Sequence, residues 1–142
     1  MDAILAKLYL IAAEKSIRID FRSLHNKLGF ALCYNGGYAI AIDYERTKSE
    51  KEEKQVVAEE IAHCITNTLY PVSALNVFDS KEIVRAEKKA QDYASTLLVA
   101  LETLTPLLNL PYYEIAEELN VEEKMVIKAI EYYVKKGMLN EY

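Results

Sequence analysis

A chain of 142 residues, 51% apolar and 27% charged, has enough core-forming side chains for one soluble domain. Its net charge of −5 argues against a protein whose main work is to hold nucleic acid, because phosphate binding needs a basic face. The apolar opening is bounded by Asp2, Lys7, Glu14 and Lys15, too short and charged for a membrane helix, and it lacks the marks of a signal peptide, so a cytoplasmic protein is expected.

Ala3 to Lys15 predicts a first helix, with Ile4, Leu5, Leu8, Ile11 and Ala12 as its apolar stripe. Ile17, Ile19 and Phe21 alternate with polar residues and predict a short strand or an extended link. Ser23 is placed to cap a small turn of helix through Leu28. Phe30 to Tyr34 and Tyr38 to Ile42 flank Asn35-Gly36-Gly37, a strong signal for a β-hairpin. Cys33 and Cys64 lack CxxC spacing and read as free thiols.

Arg46 to Lys54 is charged and expected to be solvated. It leads into a central helix over about Glu52 to Leu69, closed by Pro71. At ~100° per residue, Val57, Ala58, Ile61, Ala62, Cys64, Ile65 and Leu69 share one apolar arc, while Glu59, Glu60, His63 and Asn67 lie opposite. Asp79-Ser80 can cap a next helix from Lys81 to Leu104, with Ile83, Ala86, Ala90, Tyr93, Ala94, Leu97, Leu98 and Leu101 on its apolar arc. Glu87 falls inside that arc, where an ionised carboxylate is costly unless it is paired or binds a metal. Pro106 and Pro111 bracket a break, Tyr112 to Leu119 and Glu122 to Lys136 predict two last helices, and Gly137 is a stop. The fold class is α+β and mostly helical, one domain over 1–142: a helix and small sheet over about 1–50, then a helical half.

The stretch Val56 to Cys64, VVAEEIAHC, carries the chemistry. Glu59 and His63 are four apart and stack on one helix face, with Glu60 after the first. A zinc-peptidase helix has that layout: two ligands at i and i+4, and a general base beside the first. Here a glutamate stands where the usual H-E-x-x-H motif has its first histidine. A solvated amphipathic face would show the same Glu59 and His63. Glu60 and the ill-placed Glu87 tilt the reading towards a metal held by Glu59, His63 and Glu87, with Glu60 taking a proton from water. His25 is the other histidine of the chain, so a site richer in histidine is not available. Two carboxylates and one imidazole make a hard, anionic donor set, which admits Mn2+ or Fe2+ as well as Zn2+ and lowers the expected activity.

AEEIAH followed by RAEKKAQDYASTLL resembles the ImmA/IrrE family of zinc-dependent peptidases. YAIAIDY resembles that family's strand pair before the active-site helix, and YYEIAEELNVEEKMVIKAIEYYVKKG resembles its C-terminal helices. The resemblance runs from about Ile17 onward. It implies a zincin-like fold with a small sheet packed on the active-site helix, Glu87 as third ligand from the following helix, and a partner transcriptional repressor as protein substrate.

Two other readings stand beside it. A family member without catalysis would bind a repressor or sense a signal. Ala116, Asn120 and Val126 have helix-turn-helix spacing, but the helix meant for the major groove would start with Glu122 and Glu123, which repel phosphate.

Overall fold

The computed structural model describes residues 1–69 and 80–140. The expectations at Pro71 and Asp79 lie outside those residues. The fold is α+β, with a three-stranded sheet and six α-helices among the described residues.

Helix α1, Ala3–Glu14, starts where the Asp2 carboxylate accepts the amides of Ile4 and Leu5 at 2.8 and 3.1 Å. Leu5, Leu8 and Ala12 are its buried face. Ser16 takes a left-handed φ of 57° and turns the chain into strand β1, Ile17–Phe21. This segment is therefore a strand, and it pairs in parallel with β3, Ile17 opposite Tyr38 through Phe21 opposite Ile42.

Strands β2, Gly29–Tyr34, and β3, Gly37–Ile42, form the expected hairpin. Asn35 and Gly36 both have positive φ, 50° and 78°, the requirement of the tight hairpin turns whose twist suits the strands. The sheet order is β1-β3-β2, so β2 is an edge. Ile17, Ile40 and Ile42 are buried on the face towards α1 and α2. Between β1 and β2 there is no helical turn after Ser23. Buried Asp43 holds that segment instead, accepting the amides of Leu24 and Arg46, while the Arg46 guanidinium donates to the carbonyls of Leu24 and His25. Long-range bonds of this kind outweigh one local cap.

Helix α2, Glu50–Ile65, is capped by the Ser49 hydroxyl. It begins two residues before the expected start and ends four before the expected end. Asn67 stops it with φ 54°, and the amide of Thr68 donates back to the His63 carbonyl at 3.0 Å while that of Asn67 donates to Cys64. That is a Schellman stop with asparagine in the left-handed position. Lys54, expected in solvent, is fully buried. Its ammonium lies 2.8 Å from the Asp2 carboxylate and 2.9 Å from the Leu119 carbonyl, so it ties the start of α1 to the end of another helix. Burial of this cation is tolerable because both neighbours accept hydrogen bonds.

Helix α3, Ser80–Leu98, packs along α2. The single helix expected to Leu104 is broken: Ala100 is extended, and a short α4, Leu101–Leu104, follows. The buried Tyr133 hydroxyl donates to the Val99 carbonyl at 2.7 Å, which provides for a carbonyl at the break. Helices α5, Tyr112–Leu119, and α6, Glu123–Lys135, complete the core through Ile115, Met125, Val126 and Ala129. Asn120 turns between them at φ 54°, and Gly137 ends α6 at φ 74°. No described helix is long and apolar enough to cross a membrane.

Candidate functional site

The polar face of α2 looks into a cavity of about 290 Å³. Its wall includes Glu59, Glu60, His63 and Thr68 from α2 and its end, Gly29 to Ala31 from the edge strand, and Glu87 from α3. Glu59, Glu60 and His63 are all half-buried, so this is not a freely solvated face.

His63 and Glu87 meet. The imidazole Nε2 lies 3.3 Å from Glu87 Oε1, and the two side chains are 15% and 55% exposed. Glu87 is therefore not inside the core as its helical direction suggested. Ala86 and Ala90 carry that turn's packing, and Glu87 stands at the rim of the cavity. The other ring nitrogen of His63, Nδ1, lies 2.9 Å from the Thr68 hydroxyl and 3.2 Å from the Thr68 carbonyl. An Nδ1 proton shared with the Thr68 oxygens, the hydroxyl being the nearer, fixes the ring's orientation. It turns Nε2 to Glu87. Thr68 is a residue the sequence reading missed, and the signal was Asn67, a good left-handed helix stop that brings Thr68 back over the last turn.

Glu60 projects between α2 and the start of β2. A Cβ on Gly29 would stand 2.5 Å from Val56 Cγ1, 3.1 Å from Glu60 Cγ and 3.3 Å from Glu60 Oε2. Glycine is what lets the strand approach this turn of the helix. Burial, then the neighbouring carboxylates of Glu59 and Glu87, push the Glu60 carboxyl up to about 7, with Lys27 pulling it back in part. Burial also pushes the Cys64 thiol up to about 12, helped by Glu60 and then Cys33, so this thiol is not a nucleophile near neutrality.

A metal can be tested against these donors. Two ligands of a tetrahedral ion with bonds of ~2.0–2.1 Å stand ~3.3 Å apart, which is the distance between His63 Nε2 and Glu87 Oε1. Glu59 does not join them as it stands. Its Oε1 accepts from the Gln55 side chain, and among the described residues no three His, Cys, Asp or Glu side chains are already gathered about one point. His63 and Glu87 are thus spaced as two ligands would be, and Glu59 stands in the same wall with its Oε1 engaged by Gln55.

No family model, curated protein or solved structure matches this chain.

Proposed function

We propose that the chain is a metal-dependent endopeptidase of the ImmA/IrrE kind, acting in the cytoplasm on a partner transcriptional repressor. The carrying observation is the approach of His63 and Glu87 from two helices beside the half-buried carboxyl of Glu60. His63, Glu87 and a released Glu59 would hold Zn2+, or Mn2+ or Fe2+, and the ion would supply Lewis-acid polarisation of a peptide carbonyl and a more acidic water. Glu60 would take a proton at its carboxylate and return it to the leaving amine. Strand β2 pairs with β3 on one side only, and its residues Gly29 to Ala31 line the cavity. An extended substrate segment can add to that edge, with main-chain bonds giving affinity and side chains giving choice.

A specific observation favours a second reading. Glu59 does not meet His63 and Glu87 among the described residues, and a chain that leaves its three donors apart would bind a repressor without cutting it. A DNA-binding role is disfavoured: α5 and α6 do have helix-turn-helix spacing, but α6 opens on Glu122 and Glu123, which suit the positive end of the helix dipole and repel phosphate.

The deciding experiment is metal content on protein purified without chelator, with incubation against a candidate repressor. About one equivalent of divalent metal and discrete repressor fragments are expected. Metal-free protein that relieves repression and leaves the repressor intact would establish the second reading.

A further inference from the structure

A second cavity, of about 700 Å³, lies elsewhere, at the start of α2. Met1, Leu5 and Tyr9 from the start of the chain, Phe21 at the end of β1, Tyr44, Glu50 and Glu53 form its wall. Phe21 and Tyr44 are 54% and 61% exposed, although burial of such rings would stabilise the fold. Their centroids are 5.4 Å apart and their planes are 78° from each other, an edge-to-face pair.

Two carboxylates are fixed in the same wall. Glu53 Oε2 accepts the Tyr9 hydroxyl, and Glu50 Oε2 accepts the Asp2 amide at 2.8 Å. Acids in a first helical turn are ordinary partners of the helix dipole, and that explains their presence but not the rings. The nearby cation Lys54 is fully buried and engaged by Asp2 and the Leu119 carbonyl. Aromatic faces, carboxylates and an apolar floor from Leu5 together match a single ligand chemistry: positive charge on an aliphatic body.

We propose that the cavity bounded by Tyr9, Phe21, Tyr44, Glu50 and Glu53 is a binding site for an alkylammonium group. It is separate from the groove around His63, so the two assignments stand or fall independently.

The test uses the full chain, labelled for amide NMR, and three probes: choline, its uncharged isostere 3,3-dimethylbutan-1-ol, and N-acetyl-lysine methylamide. The cations should shift Phe21, Tyr44, Glu50 and Glu53 saturably, with the neutral isostere about tenfold weaker. Tighter binding of choline than of the lysine derivative identifies a free small cation as the ligand, and the reverse identifies a lysine side chain of a polypeptide. Phe21→Leu and Tyr44→Leu alter exposed rings and leave the core in place, and each should weaken cation binding severalfold with the circular-dichroism spectrum unchanged. Glu53→Gln keeps an acceptor for Tyr9 and removes the charge, and should also weaken it. The proposal is overturned if the isostere binds as well as choline, if no probe saturates, or if all three variants bind as the parent does.

Discussion

The Thr68 hydroxyl sits 2.9 Å from Nδ1 of His63, across the turn that ends α2. The pairing orients the imidazole from behind, and partners of this type set both ring tautomer and ligand basicity. Thr68→Val keeps the shape and removes the hydroxyl. Zinc affinity, read by competition with a chromogenic chelator, should fall about 10–100-fold. Unchanged affinity would mean that the ring is not held for a metal.

The contact at Gly29 tests the seam between sheet and helix. A methyl group there would overlap Val56 Cγ1, at 2.5 Å from the added Cβ. Gly29→Ala should cost about 1–3 kcal/mol in urea unfolding, the usual range for overpacking. Val56→Ala removes the obstructing atom, so the double variant should recover much of the loss. Strict additivity of the two single changes would show that the strand does not close on the helix here.

Asp2 ties the start of α1 to α2 by capping α1 and pairing with Lys54. Burial pushes its carboxyl up, but hydrogen bonds from Lys54, Leu5 and Ile4 and the Lys54 charge pull it further down, so it ends below its ordinary 3.8. A depressed carboxyl adds stability above the unfolded value, and that stability is lost as pH falls through the folded one. The wild type should therefore exceed Asp2→Asn in stability at pH 7, and the gap should close progressively below pH ~3.8. A gap that persists undiminished at pH 2 would assign the effect to packing. Lys54→Met leaves Asp2 without its partner and should cost about 3 kcal/mol, within the range for breaking buried pairs.

The elements whose causes are local were legible from the residues themselves. The hairpin at Asn35-Gly36 and the Gly137 stop depend on backbone conformations that few residues adopt. The misplaced features have distant causes. Lys54 belongs to a charged run, but its partners are 52 and 65 residues away. The break after Leu98 lies among good helix formers and is bound to Tyr133, 34 residues on. Glu87 was singled out for a burial it does not have. It does reach His63, because the turn that carries it overhangs the cavity at the end of the packed seam. Glu59 was placed on the correct face, but helical spacing says nothing of χ angles, and Gln55 one turn back takes its carboxylate.

Glu60 separates a working enzyme from a retired one, through stability as well as turnover. Its folded carboxyl is raised to about 7 from 4.5, by burial first and then by Glu59 and Glu87. A raised carboxyl contributes stability that is fully present below pH 4.5 and lost as pH rises through about 7. At pH 8 the metal-free wild type carries a buried negative charge next to two others. Glu60→Gln has the same size and no charge, so in chelator at pH 8 it should be more stable by about 1–3 kcal/mol, since each pKa unit is worth ~1.4 kcal/mol. Near pH 4 the two should unfold alike. If the protein cuts its partner, the same variant should retain metal, because Glu60 is a base and not a ligand, while turnover falls about 10²–10⁴-fold. His63→Ala should lose metal and turnover together. Glu59→His should tighten zinc, as an imidazole has no call on Gln55 of the kind the carboxylate makes. A more stable Glu60→Gln that relieves the repressor as well as the wild type, with no fragment on a gel, would show that this carboxylate is strained for a reason other than catalysis and would leave the chain a binding protein.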